Sequence, residues 1–487
     1  MRRGVAGLDV GTGGVRAVLL NEAGEVEGTC EASYALSLPR SGWAEQDPED
    51  WWRAAFTALS RIAAVARTKG IAIQGIGLTG QMHGAVFVGR EGQVLRPAII
   101  WMDQRTSAEA EALQQKLANA GLLQVVSNVA LPNFTATKIL WVMRHEPAVW
   151  EQTKYVLLPK DFIRYRLTGE TATDVSDASG TLMLDIARRK WSVAVVDLVG
   201  MRLDQLPAVF EGPEVTGILR VEIAREFGLG DRVVVVAGAG DQPAAAIAAG
   251  VERPGTAALS LGTSGVVLAP SPSQDGPLPH GLHLFCHAVP DTWFVMGVTQ
   301  SAGGSFRWFR DTFGSGRSYD ELSRLAGEAP AGSEGLLFAP YLAGERCPHA
   351  DSGVAGAWLG LTVRHTFPHM ARSVMEGISY SLRDVLEAMR DHIALPELMT
   401  ASGGGAQSPV WRGITEAILG LPVKWIKEQG PAVGAAVLAG RTVFSHPAYA
   451  AAVEDIGSDG FSGPWRNVYQ EGYANYRQLY RRITSEL

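Results

Sequence analysis

The residues best suited to chemistry in this chain are two aspartates and two glycine-threonine turns. Asp9 closes an apolar run just before Gly11-Thr12-Gly13-Gly14, and a second turn, Gly262-Thr263-Ser264-Gly265, follows Leu259-Ser260-Leu261 in the other half. Glycines permit a tight reversal and let backbone N–H groups approach an anion, while the Thr hydroxyl adds a donor. Each copy therefore reads as a strand-turn-strand phosphate cradle, with an ordinary β-hairpin as the alternative. Two cradles in two similar halves point to a nucleotide held between two lobes. Asp9, present in only one copy, stands where a hydrated Mg²⁺ facing phosphates would need a carboxylate.

Asp241 follows Gly238-Ala239-Gly240 and opens a predicted helix, so it suits either a general base or a helix N-cap. Gly403-Gly404-Gly405 lies between a strand and a helix, where it admits a flat ligand or a phosphate, or forms a plain turn. Met82 and His83 pair an apolar surface with a hydrogen-bonding ring, and Asp103 with Arg105 adds groups suited to a polyol, or a surface ion pair of little energetic weight. Gly434-Ala435-Ala436 favours close helix packing. His145, His349 and His369 show no metal-ligand spacing, and neither a GxSxG elbow, an HExxH helix, a GxxxxGK[ST] loop nor a GxGxxG turn at a strand end occurs.

The elements that must position these groups are legible in the apolar patterning. Strands are predicted near Val5–Val10 and Val15–Leu20, with a third reaching about Leu38. Asp47 then caps a helix with Pro48 at its first position and Trp52, Phe56, Leu59 and Ile62 at helical spacing. Further strands fall at Ile71–Thr79, Ala85–Val88 and Ala98–Trp101, before a charged, helix-rich stretch from Gln104 to Phe227. Val233–Val236 reads as a buried strand leading to Asp241 and an Ala-rich helix. The second half repeats the plan, with strands near His283–Val289, Trp293–Val298 and Leu398–Ala401, a long helix over His369–Met389 and another over Pro409–Leu419.

At 487 residues the chain is too long for one ordinary core. Two domains are predicted, 1–245 with the first phosphate turn and 246–487 with the second, joined by a hinge. The chain is 46% hydrophobic and 19% charged, and its 43 basic and 50 acidic side chains give a net charge of −7 without long runs of one sign, which disfavours a nucleic-acid partner. Val233–Val251, the most apolar later stretch, contains Asp241, Gln242 and Pro243, so no membrane span is predicted. Cys30, Cys286 and Cys347 are widely spaced and fit a reducing cytoplasmic setting.

These residues together resemble the FGGY carbohydrate kinases over nearly the whole length. The resemblance rests on Asp9-Val10-Gly11-Thr12, Trp43 to Pro48, Gly80-Gln81-Met82-His83-Gly84, Arg96 through Arg105, Leu157 to Asp161, Gly240-Asp241, Ser260 to Gly265, Gly344-Glu345-Arg346, Gly403-Gly404-Gly405 and Gly430-Pro431. Gly356 to Glu376 fits one family signature, and Thr135 to Trp141 fits most of another. The resemblance implies a duplicated, two-lobed α/β fold of the actin-like ATPase type, each lobe with a ribonuclease-H-like core. It further implies ATP and Mg²⁺ as cofactors, a small sugar as partner, and a homodimer as one admissible oligomeric state.

By the same resemblance Asp241 is the general base, and Met82, His83, Asp103 and Asp241 contact the sugar. Thr12, Gly13, Arg16, Gly262, Thr263, Gly403 and Gly404 bind the nucleotide, and Asp9 holds the metal. Arg16 stands where Lys is common, keeping a phosphate-facing cation, while Asn133, Met102 and Gln242 depart from the usual residues. The implied reaction is phosphorylation of D-xylulose to D-xylulose 5-phosphate. L-Ribulose, L-fuculose, gluconate and glycerol are the rival acceptors, and a non-enzymatic actin-like ATPase is the distant rival.

Overall fold

Arg2–Val10 (β1) and Gly14–Asn21 (β2) are largely buried and pair antiparallel, from Gly4 opposite Asn21 to Val10 opposite Val15, so the first glycine turn closes a hairpin. The structure, a computed structural model, describes residues 2–427, 429–457 and 462–485. Val26–Ser33 (β3) continues the meander but stops short of the expected Leu38. Its last residue pairs with Gly14, where the partner strand turns away and the ladder has nothing further to bond.

Helix α1 (Pro48–Thr68) starts as predicted: the Asp47 carboxylate accepts the Glu49 N–H at 2.9 Å, and Trp51, Ala55, Leu59 and Ile62 form its buried face. Ile71–Gly80 (β4) then runs parallel to β1, with Asp9 opposite Thr79 and Val10 opposite Gly80. Val234–Val236 (β5) and Ala239–Gly240 (β6) both pair parallel with β4. The order β5-β4-β1-β2-β3 is extended by an outer strand, Val215–Ile218.

The second sheet repeats this plan. Thr256–Leu261 (β7), Gly265–Ser271 (β8), His283–Cys286 (β9), Trp293–Thr299 (β10), Leu398–Ser402 (β11) and Val423–Trp425 (β12) lie in the order β12-β11-β7-β8-β10-β9. Thus β7 answers to β1, β8 to β2, β10 to β3, β11 to β4 and β12 to β5, and the second glycine turn closes the β7-β8 hairpin.

The position-245 boundary falls inside helix α2 (Asp241–Ala248), and packing does not follow that cut. Beyond α3 (Phe367–Met389) in the second lobe, helix α4 (Pro431–Val443) returns to lie on the first sheet and on α2. A Cβ added at Gly7 would stand 1.8 Å from the Ala432 carbonyl, one at Gly77 1.8 Å from that of Ala435, and one at Gly434 1.8 Å from that of Ala244. The expected close helix packing at Gly434 is therefore a three-layer backbone contact that only glycine permits.

The lobes also share an apolar core, in which Phe87, Phe134 and Ile139 pack with Phe285, Phe294 and Met296 of the second sheet. No helix among the described residues is long and apolar enough to cross a membrane.

Candidate active site

Parallel strands end side by side, and this brings the two aspartates together. Gly80 pairs with Val10 on one side and with Gly240 on the other, so Asp9, one residue before Val10, and Asp241, one residue after Gly240, sit at the same sheet edge with a single strand between them. Burial, the charge of Asp241 and the opposing pull of Arg16 leave Asp9 at about 7. One of its oxygens, Oδ1, is buried and has no hydrogen-bond partner. An orphaned carboxylate oxygen facing a glycine turn fits a cation bound with phosphate. Arg16, opposite Asp9 in the β1-β2 register, reaches Glu31 at 3.7 Å.

Asp241 is not the N-cap of α2. Gly240 takes that place, and Asp241 is the first helical residue. Burial lifts its carboxyl to about 6 against the pull of the Gln242 amides, a range suited to accepting a proton near neutral pH. Its backbone is fixed from behind, since the Gly240 N–H donates to the Ser176 hydroxyl at 3.1 Å and that hydroxyl donates to Asp174. Asp174 belongs to a fully buried cluster in which the Lys160 ammonium lies 2.7 Å from Asp161, 2.8 Å from Asp174 and 3.1 Å from Asp177. Arg164, in the same cluster, donates to the Val236 carbonyl at 2.7 Å and ties β5 to it. The Leu157–Asp161 motif thus positions the strand end bearing Asp241, a role that the sequence alone did not reveal.

Met82 is buried beneath the same edge. A Cβ at Gly240 would come within 2.8 Å of its side chain, and one at Gly180 within 3.0 Å. Next to it, His83 adopts φ 69°, and its Nδ1 lies 2.6 Å from the Gly180 carbonyl. That carbonyl can only accept, so Nδ1 carries the proton and Nε2 keeps its lone pair. Burial holds the ring down at about 3, so it stays neutral. The sequence did not single out His283. Its Nδ1 lies 3.2 Å from the Asn128 Oδ1, burial holds it at about 4, and its ring is 6.1 Å from Phe134, which is itself 5.1 Å from the His83 ring. Two neutral imidazoles thus offer acceptors to hydroxyl groups.

Asp103 is neither an open sugar contact nor a surface ion pair. It is fully buried, accepting from the Ala44 N–H at 2.6 Å and from the Arg105 backbone and guanidinium at 2.7–3.0 Å. The Arg105 guanidinium in turn lies 3.6 Å from the centre of the Trp43 ring. With its lone pairs spent, Asp103 anchors the loop. The Thr12 hydroxyl is also engaged: it accepts from the Trp101 indole at 3.0 Å and donates to the Gln81 side-chain Oε1 at 3.4 Å, while the Gln46 side chain donates to the Thr12 carbonyl at 2.7 Å. Backbone N–H groups are left for an anion there, and a Cβ at Gly13 would meet nothing within 4 Å.

The other wall is a cavity of about 670 Å³ lined by Gly262, Thr263, Phe306, Arg307, Tyr319, Gly404 and Trp411, among others. Its volume suits a nucleotide. Arg307 donates to the Thr263 hydroxyl at 2.9 Å. Gly403 has φ 107°, and a Cβ there would stand 2.7 Å from the Leu261 carbonyl, whereas Gly404 opens onto free space. The aromatic and Arg residues of this wall carry no local motif, so nothing in the sequence singles them out.

Family models for the FGGY carbohydrate kinases match residues 5–248 with the N-terminal domain and residues 257–443 with the C-terminal domain. The chain belongs to the FGGY family of carbohydrate kinases. The kinase is 41% identical to the xylulose kinase of Klebsiella pneumoniae over 89% of each chain, and 30% identical to the gluconokinase of Bacillus subtilis over 83% of this chain and 81% of that one. The crystal structure of a xyloylose kinase from Brucella ovis superposes with a TM-score of 0.92 at 36% identity, covering 99% of this chain and all of the other. The enzyme is therefore an ATP-using sugar phosphotransferase of the expected two-lobed fold, and the non-enzymatic reading falls.

Proposed function

We propose that the kinase transfers the γ-phosphoryl group of ATP to the terminal hydroxyl of D-xylulose, giving D-xylulose 5-phosphate and ADP. The observation that carries the site assignment is the pair of strand-end carboxylates, Asp9 and Asp241, at one edge of the first sheet, with Met82 packed against Gly240 and His83 next to it. Asp241 takes the proton of the attacking hydroxyl as its oxygen bonds to the γ-phosphorus and the bond to the ADP oxygen breaks. Phosphoryl transfer asks mainly for positioning and charge neutralisation, which the glycine turns supply with backbone N–H groups.

The orphaned Oδ1 of Asp9 suits it to hold Mg²⁺, which when bound neutralises phosphate charge. The neutral His83 ring accepts from a sugar hydroxyl through Nε2. The likeness to xylulose kinases at higher identity than to a gluconokinase favours the ketopentose. Three free cysteines, two of them buried, agree with a reducing cytoplasm as its setting.

A coupled ADP-release assay over D-xylulose, L-ribulose, L-fuculose, gluconate and glycerol tests the substrate. D-Xylulose should give the highest kcat/KM by at least about tenfold, since a pocket built for particular hydroxyls rejects sugars that leave its polar groups unpaired. A higher value for another acceptor would replace the sugar and leave the chemistry in place.

A further inference from the structure

The loop from Tyr341 to Asp351 in the second lobe is braced far more heavily than its exposure explains. Glu345 is buried and accepts the backbone N–H groups of Gln300 and Arg346 on Oε1, each at 2.7 Å, and the Thr299 hydroxyl on Oε2 at 2.7 Å. Glu345 and Asp351 exchange backbone hydrogen bonds of 2.8 and 2.9 Å, and the Cys347 N–H donates to Val298 at 3.0 Å. The His349 ring stacks on Tyr480 at 3.7 Å, and the Tyr480 hydroxyl donates to Asp351 at 2.9 Å.

All these ties converge on Arg346, which is exposed. Among the described residues, no side chain or carbonyl hydrogen-bonds or ion-pairs with its guanidinium. The loop lies against the turn that leads into β9: a Cβ at Gly281 would stand 3.0 Å from the Arg346 carbonyl. From there His283, Phe134 and His83 form an unbroken row of rings across the lobe boundary. Both imidazoles feel the charge of Arg346, which adds to the burial that keeps them neutral.

A polyol offers acceptors as well as donors. His83 and His283 supply acceptors only, whereas a guanidinium supplies five donors in a fixed fork. A loop held rigid before the ligand arrives also lowers the ordering cost of making those bonds.

We infer that Arg346 is the second lobe's donor to the sugar, giving hydrogen bonds to its oxygens across the cleft from His83, so that the substrate is gripped by both lobes. This rests on the kinase and substrate reading given above. The test compares wild type, Arg346→Ala and Arg346→Lys in the ADP-release assay, with KM measured separately for D-xylulose and for ATP. Losing hydrogen bonds from a charged group should raise the D-xylulose KM about tenfold to a hundredfold in Arg346→Ala. The ATP KM should stay within about twofold of wild type, the thermal midpoint should be unchanged, and Lys should restore part of the loss.

An unchanged D-xylulose KM in the folded Ala variant overturns the inference. So does an equal rise in the ATP KM, which would make Arg346 a nucleotide contact. A wild type active on another sugar but not on D-xylulose would instead sink the substrate reading, and the Arg346 comparison is then decided on that sugar.

Discussion

The two sides of the cleft are built on opposite principles. On the side proposed for the sugar, His83, Phe134 and Phe285 pack ring against ring across the lobe boundary, and His83, in a left-handed backbone conformation, bonds to Gly180. On the side proposed for the nucleotide a cavity of about 670 Å³ stands open between glycines and aromatic faces. The two glycine turns differ in the same way. The first is tied by Tyr34, Gln46 and Trp101, whereas the second is held by backbone bonds to Ala302, Gly303 and Gly304 and by Arg307. Discrimination among similar sugars needs preset partners, because an unpaired buried polar group is what rejects the wrong one. A nucleotide brings enough surface and charge of its own to be held by an open, glycine-rich wall.

Breaking the reacting edge, which neither side owns, should give the largest effect. Asp241→Asn keeps the shape but cannot accept a proton, so kcat should fall by about 10²–10⁴ with ATP affinity retained. The same residue sets a pH limit. The base works ionised, so wild-type kcat/KM should fall as pH drops through about 6. Stability runs the other way. With Asp9 and Asp241 both raised in the folded state, the folded protein binds more protons than the unfolded chain from about pH 4 to about pH 7. Their contribution to stability is full below pH 4 and lost as pH rises through the folded values, so unliganded Asp241→Asn should show a flatter decline in thermal midpoint over that window. Near-wild-type turnover in Asp241→Asn would return Asp241 to a structural role.

On the sugar side, His83→Ala should raise the D-xylulose KM by about tenfold to a hundredfold and leave the ATP KM nearly unchanged. Michaelis constants for both substrates, measured on one preparation, check this split. A matching rise for ATP would mean that the two sides are not separate.

The smallest effect belongs to the open wall. Gly404→Val adds a side chain where nothing lies within 4 Å, so the fold should persist while the ATP KM rises about tenfold and the sugar KM holds. An unaltered ATP KM would place the nucleotide elsewhere.

Much of the fold was legible because it is written in local signals. The Asp47 cap, the alternating and continuous apolar runs and the two glycine turns gave α1, both hairpins and the strand ends where Asp9 and Asp241 lie. The end of β3 was misjudged because a strand stops where its partner leaves, which no single segment records. Asp103 misled for a similar reason: an aspartate two residues from an arginine looks the same in sequence whether it faces water, a sugar or a buried guanidinium.

The sequence by itself determined the residue types, their order along the chain, the duplication and the family. These follow from short-range propensity and from motifs that survive reading one residue at a time. Only the tertiary structure decided what stands beside what. It set α4 from the end of the chain against Gly7 and Gly77, placed the Lys160 cluster behind Asp241, fixed the proton on His83 Nδ1 through Gly180, and set Arg346 where both His83 and His283 feel its charge. Each of these is a contact between segments far apart in the chain, set by parallel strand pairing and by glycine surfaces that admit another backbone, and such contacts exist only once the chain has closed on itself.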